Sequence, residues 1–209
     1  QGPLPELPPI ADVSVYRVGD ILIDTGSRYC NQALIHALRD NPPTKILLTH
    51  QHEDHVGGVC ALLDAFGDIP VYAPSTHIDI IQTVDHVPPH RELYWGHPSP
   101  PQNLIPYEAG ASFETRGLTL SAVETPGHTP GHMCFIARWG KQLFACTGDL
   151  YFGSRHIPAW FESSAEDLIR SQRCIAALDT SVYMLPTHGK TRPDGADVFI
   201  NDELIGQTP

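Results

Sequence analysis

Apolar and polar positions alternate along the chain in short runs that predict interleaved strands and helices. Runs with every second residue apolar, or apolar throughout, predict strands. These runs lie at 12–18, 20–26, 45–50, 69–74, 112–117, 118–126, 132–140, 141–149 and 182–189. Apolar residues spaced three and four apart predict helices at 30–41, 57–67 and 164–179, the last capped by Ser163 or Ser164. The order predicts an α/β fold in which helices cover sheets and functional residues follow strand ends.

The pattern breaks between residues 77 and 110. Prolines, histidines and aromatic residues accumulate there without a clear period. Because proline opposes helix interiors and central strands, this stretch is predicted to be an irregular surface insertion. The 209 residues are otherwise enough for one domain with a substantial core, so we interpret residues 1–209 as a single domain that carries this insertion.

Composition narrows the classes of partner. Lys and Arg total 13 and Asp and Glu total 24, which gives a formal net charge of −11 and disfavours nucleic-acid binding. Five scattered cysteines without a C-x-x-C pair favour neither a disulfide framework nor a cysteine zinc site. They favour a reducing compartment, so the chain is predicted to be cytoplasmic. No apolar run is long enough to span a membrane, and no signal peptide is visible at Gln1.

The segment LTHQHEDHVGG, from Leu48 to Gly58, concentrates imidazoles and carboxylates at the end of an apolar run. In an extended segment, residues two apart point to the same side, so His50 and His52 can face one point. A turn after Glu53 would bring Asp54 and His55 to a neighbouring point. Neutral imidazole and carboxylate are the usual ligands of zinc and similar cations. This spacing favours a metal site over a solvated histidine-rich loop.

Three further strand ends carry the same residue types beside glycine. ETPGHTPGH supplies His128 and His132, FACTGDL supplies Asp149, and MLPTHGK supplies His188. Each would be unremarkable alone, as a turn aspartate or a surface histidine. Four such strand ends in one chain favour a shared site.

Together these segments resemble the metallo-β-lactamase-fold superfamily of metal-dependent hydrolases, in particular its glyoxalase II-like and small stand-alone members. The motif H-x-H-x-D-H lies at 50–55, and the second histidine segment, the bridging aspartate and the last histidine follow at 125–129, 147–149 and 187–189. The early turn Asp24-Thr25-Gly26 is also similar. The resemblance covers residues 12 to 190 and implies a four-layered αβ/βα sandwich with the metal site at one edge of its two sheets.

The resemblance also implies the roles of the ligands. It assigns His50, His52 and His128 to one metal and Asp54, His55 and His188 to a second, with Asp149 bridging them. His132 and Asp24 would support the site without binding metal. The implied cofactors are two divalent ions, with zinc favoured by the imidazoles and iron or manganese as alternatives. Such ions could share a hydroxide at neutral pH and polarise a carbonyl or phosphoryl oxygen, while Asp54 would aim the hydroxide.

The resemblance leaves the small-molecule substrate open. The leading hypothesis is hydrolysis of a small ester, thioester or lactone. A phosphodiesterase or nuclease of the same superfamily is one alternative, and a metal-loaded binding or regulatory protein with incidental hydrolysis is another. Glutathione thioesters are disfavoured, because the segment after Asp149 lacks the basic and tyrosine pattern of glyoxalase II.

Residues 86–107 are further predicted to form a lid that shapes the substrate pocket. Tyr94 and Trp95 within it, and Tyr151 and His156 after the bridging aspartate, are the candidate substrate-binding residues. The alternatives for the aromatic residues of the lid are packing on a sheet edge and a contact between subunits of a homo-oligomer.

Overall fold

The computed structural model describes residues 12–83, 87–152, 162–178 and 182–191. Ten strands and six helices lie within these ranges. The strands are β1 Tyr16–Val18, β2 Ile21–Ile23, β3 Lys45–Leu47, β4 Val71–Pro74, β5 Ile105–Tyr107, β6 Ser112–Thr115, β7 Leu118–Glu124, β8 Met133–Trp139, β9 Gln142–Gly148 and β10 Tyr183–Pro186. The helices are α1 Asn31–Leu38, α2 Glu53–Val56, α3 Val59–Phe66, α4 Ile78–Thr83, α5 Pro89–Trp95 and α6 Ala165–Leu178.

The strands form two five-stranded sheets. The first has the order β1-β2-β3-β4-β5, in which β1 pairs antiparallel with β2 and the other pairs are parallel. The second has the order β10-β9-β8-β7-β6, in which only the pair of β10 with β9 is parallel. Each sheet therefore consists of segments that are contiguous in sequence, apart from the helical connections.

Three apolar clusters define the layers. In β2, Ile21 and Ile23 pack between the sheets, whereas Leu22 packs against the helices that cover the first sheet. In β9, Cys146 lies between the sheets and Ala145 lies in the cluster that includes residues of α6. Neighbouring strand residues thus enter opposite layers, as the two-residue period of a strand requires. The predicted four-layered αβ/βα sandwich is confirmed.

The prediction that residues 77–110 are irregular is wrong. This stretch contains α4, α5 and β5. Its prolines occupy positions that cost little, since Pro89 is the first residue of α5, where the N–H would have no helical partner. Pro106 lies in β5, the edge strand of the first sheet. The aromatic ring of Tyr107 is part of the core between the sheets, and its hydroxyl donates to the carbonyl oxygen of Leu48 at 2.7 Å.

Backbone hydrogen bonds hold the two sheets together at one edge. The N–H of Met133 in the second sheet donates to the carbonyl oxygen of Thr49, which follows β3 of the first sheet, at 3.1 Å. The N–H of Ser14 donates to the carbonyl oxygen of Thr187 at 2.8 Å. The N–H of Thr187 in turn donates to the carbonyl oxygen of Gly148 at 3.0 Å. The ends of β3, β9 and β10 therefore meet at the same edge.

Candidate metal centre

The histidine motif follows β3 at this edge. His52 has extended backbone angles, φ −68° and ψ 153°. The single turn α2 begins at Glu53, and the N–H groups of His55 and Val56 donate to the carbonyl oxygen of His52 at 2.9 and 3.0 Å. This turn brings Asp54 and His55 beside the two preceding histidines, as the spacing of the motif predicts.

A close approach of the backbone follows the motif. A Cβ atom at Gly58 would lie 2.4 Å from the carbonyl oxygen of Thr25, which is too close for any side chain. The glycine therefore lets α3 start against the Asp24-Thr25 turn. The hydroxyl of Thr25 in turn donates to the carbonyl oxygen of His55 at 2.8 Å and fixes the end of the motif.

Four buried residues form what we name the first ligand group: His50, His52, His128 and Asp149. One nitrogen or oxygen atom of each lies within 4.8 Å of those of the others. The Nε2 atom of His128 is 3.0 Å from Nδ1 of His52 and 3.3 Å from Oδ2 of Asp149. These residues come from the ends of β3 and β9 and from the loop between β7 and β8, so both sheets contribute.

Three further buried residues form the second ligand group: Asp54, His55 and His188. Oδ2 of Asp54 is 3.0 Å from Nε2 of His188 and 3.9 Å from Nε2 of His55. Asp149 also reaches this group, since its carboxylate oxygens lie 3.2 Å from Nε2 of His55 and 3.5 Å from Nε2 of His188. Asp149 thus lies between the two groups.

The donor atoms fit divalent metal ions. Nε2 of His50 is buried and has no hydrogen-bonding partner among the described residues. Nε2 of His55 and Oδ1 of Asp149 are also buried and lie 3.2 Å apart, but they hydrogen-bond neither each other nor another described residue. Buried polar atoms normally have such a partner, so these three indicate a ligand. Imidazole nitrogens and carboxylate oxygens suit zinc and similar cations, and each group offers enough donors for one ion.

Asp24 supports the site from outside the ligand groups. Its carboxylate accepts the backbone N–H and the hydroxyl of Thr49, each at 2.8 Å, and lies 2.7 Å from Nδ1 of His55. A carboxylate on the far nitrogen of a histidine orients the ring and directs Nε2 to the centre. Asp24 adopts a positive φ of 58°, which aspartate tolerates better than most residues. These contacts are the ones expected of a residue that supports the site without joining either ligand group.

His132 is likewise outside the ligand groups. Its Nε2 accepts the backbone N–H of Asp149 at 3.1 Å, and its Nδ1 lies 2.9 Å from the hydroxyl oxygen of Thr125. Because a backbone N–H can only donate, the proton of the neutral ring is on Nδ1. Gly148 has φ +50°, and a Cβ there would lie 2.6 Å from Nε2 of His132, so this contact requires glycine. His132 therefore holds the loop that carries Asp149.

The histidines of the two groups have opposite pKa shifts. Burial lowers the pKa of His128 to about 4, although Asp149 opposes the shift. Burial, together with neighbouring histidines, also holds the pKa of His50 well below its usual range. Burial alone would lower the pKa of His188 too, but Asp149 and Asp54 outweigh it and raise that pKa to about 10. Asp149 and Asp24 likewise raise the pKa of His55 well above its usual range, against the effect of burial.

Two aromatic side chains flank the second group. The ring centroid of Trp95 lies 5.8 Å from that of His188, and that of Phe152 lies 4.8 Å from it. Phe152 also approaches His128, at 6.3 Å. The structure therefore brings Trp95 to the site. Tyr94 is 43% exposed and lies beside Trp95, with ring centroids 6.4 Å apart.

The other two candidate substrate-binding residues are not brought to the site. Tyr151 is 2% exposed, belongs to the core cluster that includes residues of α6, and donates its hydroxyl to the carbonyl oxygen of Gln172 at 3.2 Å. Its placement corrects the assignment to substrate binding, because the chain turns after Asp149 and Tyr151 points into the core. His156 lies outside the described residues.

Sequence reasoning missed three residues beside the site. Phe152 could have been found from its position three residues after Asp149. Arg91 lies in a stretch interpreted as irregular, and Glu162 lies far from every motif. Arg91 and Glu162 carry no sequence signal, because only the packing of α5 and of the segment before α6 brings Glu162 to His52 and Arg91 to Glu162.

Comparisons with known proteins agree with this geometry. The sequence pattern of the Metallo-beta-lactamase superfamily matches residues 12–188. The chain belongs to this superfamily. The expected resemblance is confirmed, and membership agrees with the expectation of a hydrolase.

Curated relatives of the chain include proteins named as a hydroxyacylglutathione hydrolase and a thioesterase. A hydroxyacylglutathione hydrolase of Xylella fastidiosa (strain M12) is 33% identical over 155 residues, which are 74% of this chain and 50% of that protein. Thioesterase pkgB of Emericella nidulans is 36% identical over 176 residues, 81% of this chain and 42% of that protein. The chain spans about half the length of the curated relatives it matches.

Solved structures share the fold of this chain. A structure described as TTHA1623 in a di-iron-bound form superposes with a TM-score of 0.70 at 28% identity and covers 91% of this chain and 93% of that one. The Rm3 metallo-beta-lactamase superposes with a TM-score of 0.67 at 19% identity, over 92% and 85% of the two chains.

Among the helices of the described ranges, none has the length and apolar character needed to cross a membrane.

Proposed function

We propose that the chain is a dinuclear metal-dependent hydrolase that cleaves small thioesters, with esters and lactones as poorer substrates. The observation that carries the proposal is the convergence of seven buried imidazole and carboxylate side chains from four strand ends of two sheets. The thioester preference is supported by the relatives named as hydroxyacylglutathione hydrolase and thioesterase.

In this proposal the first ligand group holds one divalent ion and the second holds another, with Asp149 shared between them. When bound, the ions lower the pKa of a coordinated water and polarise the carbonyl oxygen of the substrate. We propose zinc, since most of the donors are imidazole nitrogens. Iron is the competing metal, because a similar structure is described in a di-iron-bound form.

Asp54 is the proposed catalytic residue. Its Oδ2 faces His188 and His55 at 3.0 and 3.9 Å, so the carboxylate is held at the centre of the second group. From there it accepts a hydrogen bond from the attacking water and aims it at the carbonyl carbon. The water oxygen bonds to this carbon and loses one proton, the carbon–sulfur bond breaks, and the departing thiolate takes up that proton, which leaves a carboxylic acid and a thiol.

Trp95 and Phe152 form an apolar wall beside the centre. Their rings lie within 6 Å of His188, measured between ring centroids. Such a wall suits the apolar part of a small acyl or thiol group next to a polar reaction centre. The net charge of −11, and the pairing of Arg91 with two carboxylates, support a thiol half without acidic groups.

The state of the cysteines supports a proposal for the cellular compartment. All five cysteines are free, including the exposed Cys30 and Cys174, which supports a reducing compartment such as the cytoplasm. The proposed partner is a small-molecule substrate, not a nucleic acid, and a homo-oligomer stays an open prediction.

The test combines metal analysis with a substrate panel. Purified chain dialysed against dilute zinc should retain close to two equivalents. A panel of simple alkyl thioesters, hydroxyacylglutathione, p-nitrophenyl acetate, lactones and bis-p-nitrophenyl phosphate should give the highest kcat/KM with a thioester. The Asp149→Asn variant is the matched control and should be inactive with every substrate.

Two results would contradict the proposal. A phosphodiester cleaved faster than any thioester would favour the phosphodiesterase alternative. Two tightly held metal ions without turnover of any substrate would favour a binding or regulatory protein. A preference for hydroxyacylglutathione over simple thioesters would keep the reaction class and overturn only the inference about the thiol half.

A further inference from the structure

A cluster of ion pairs lies against the first ligand group without belonging to it. Nη2 of Arg91 is 2.6 Å from Oε2 of Glu53, and its Nη1 is 3.9 Å from Oε1 of Glu162. The side chain of Arg91 is 15% exposed and that of Glu53 is 8% exposed. We name these three residues the arginine clamp.

The arginine clamp joins three segments that are distant in sequence. Glu53 is the first residue of α2 inside the metal motif, Arg91 lies in α5, and Glu162 precedes α6. Oε2 of Glu162 also accepts the side-chain amide of Gln51 at 2.9 Å, across 111 residues of sequence. The clamp therefore connects the motif of the first sheet with the segment leading into the helix that covers the second.

Glu162 approaches one particular nitrogen of the ligand group. Its Oε2 lies 3.6 Å from Nε2 of His52, while the other ring nitrogen, Nδ1, faces His128 at 3.0 Å. At this distance the carboxylate does not hydrogen-bond Nε2, but its negative charge favours the tautomer with the proton on that atom. The lone pair of Nδ1 then points to the ligand group, which is the form a metal requires.

Stability alone is a poor explanation for this cluster. Burying an arginine and a glutamate costs desolvation free energy that their attraction often only offsets. The clamp also borders a cavity of about 50 Å³ with apolar walls that include Val56, Ile81 and Pro98. Arg91 and Glu53 are largely shielded from solvent, whereas the side chain of Glu162 is 40% exposed, so the clamp acts on His52 through the placement of Glu162 and not through a weakly screened charge.

We propose that Arg91 and Glu162 are positioning residues that hold His52 in its metal-binding orientation, so that α5 and metal affinity are coupled. The inference rests on the proposed metal centre. Glu162 orients the ring of His52, and Arg91 holds Glu162 and Glu53 in place. By reciprocity, metal binding must then strengthen the attachment of α5 to the motif.

The first experiment measures zinc affinity by competition with a chromophoric chelator, using the full chain. Arg91→Met and Glu162→Gln should bind one zinc ion about 10- to 100-fold more weakly than the wild type, as expected for partners of a ligating histidine. Arg91→Lys keeps the charge and should recover part of the loss. Arg170→Met, which breaks the exposed pair with Asp167 on α6, and Glu92→Gln on another face of α5 are the matched controls.

Two further readouts separate positioning from packing. In the cobalt-loaded protein, Glu162→Gln should change the visible absorption of one ion, whereas Glu92→Gln should not. Amide hydrogen exchange in residues 89–95 should slow when zinc is added to the wild type. In Arg91→Met this slowing should be lost.

The outcomes distinguish the inference from the function on which it rests. If the wild type retains two zinc ions and both clamp variants bind zinc within about twofold of it, the clamp has no positioning role. The positioning role is also overturned if Glu92→Gln weakens zinc binding as much as Arg91→Met does, because general loosening of α5 would then explain the loss. A wild-type chain that retains no metal would overturn the proposed function as well.

Discussion

The two ligand groups share Asp149 but are supported in different ways. The second group is held by short contacts, since the buried carboxylate of Asp24 lies 2.7 Å from Nδ1 of His55 and the backbone oxygen of Asp12, an exposed residue, lies 2.7 Å from Nδ1 of His188. In the first group, the outward nitrogen of His52 faces Glu162, whose side chain is 40% exposed. Among the described residues, the second group therefore has a supporting carboxylate that is shielded from solvent, Asp24, whereas the carboxylate beside His52 is partly exposed.

The two groups also differ in the pKa values of their histidines. Three carboxylates surround His55, and they raise its pKa above neutrality against the effect of burial. The first group has the single carboxylate of Asp149 among three histidines, whose pKa values burial lowers. At neutral pH, a metal entering the first group meets unprotonated rings, whereas one entering the second must displace protons. The comparison predicts that the first group fills first.

The largest expected effect removes the residue that both groups share. Asp149→Asn deletes the carboxylate that approaches His55, His128 and His188. Because outer partners of metal ligands are worth about 10–100-fold, a direct ligand should cost more than about 100-fold in kcat/KM. Elemental analysis should show fewer than two metals. His132→Ala should lose less activity than Asp149→Asn or Asp54→Asn, and the reverse order would contradict the ligand assignment.

A more selective change is directed at the support of the second group. Asp24→Asn keeps a residue that tolerates positive φ but removes the charge beside His55. Metal affinity of the second group should fall about 10- to 100-fold, while the first group keeps its ion. A zinc titration with two resolved steps measures this. Equal weakening of both steps would show that the two groups are not independently supported.

Proton release provides a test that needs no mutation. With pKa values raised to about 10 for His188 and well above the usual range for His55, both rings are protonated before metal binds at pH 7. Binding to the second group should release these protons, and its affinity should rise at least about tenfold per pH unit between about pH 6 and 9. Calorimetry in buffers of different ionisation enthalpy measures the release. If the first metal ion to bind released more protons than the second, the protonated group would be filled first, which would contradict the predicted order of binding.

The smallest expected effect concerns the aromatic wall beside the second group. Trp95→Leu should raise KM for the best thioester about 2- to 10-fold, the worth of one aromatic contact, with metal content and Tm unchanged. Tyr94→Leu is the matched control, because Tyr94 is exposed on the neighbouring position of α5. Unchanged kinetics with a lower Tm for Trp95→Leu would mean that this ring only packs, and a change in native mass would indicate a subunit contact.

Much of the fold could be predicted because its strands keep a regular period. In β8, Cys134 and Phe135 are consecutive residues that enter different layers, and a short run that is apolar throughout predicts such a strand, buried on both faces. The cap of α6 is also local, since the hydroxyl of Ser164 accepts the N–H of Asp167 at 3.2 Å. The prediction for residues 77–110 failed for a local reason too: proline counts are misleading when the prolines occupy a first helical position or an edge strand.

By itself, the sequence determined the residue types and the order of the site. Imidazoles and carboxylates at four strand ends point to a divalent metal whatever the surroundings, because ligand chemistry belongs to the side chain. The tertiary structure decided which atom of each ring faces inward, how the two groups differ in protonation, and that Arg91, Glu162, Trp95 and Phe152 lie beside them. These features depend on distances between segments as far as 176 residues apart in sequence. Such distances are set only by the packing of the two sheets and their covering helices. The pKa and the tautomer of each histidine depend on these distances, because neighbouring charges and hydrogen-bonding groups determine both.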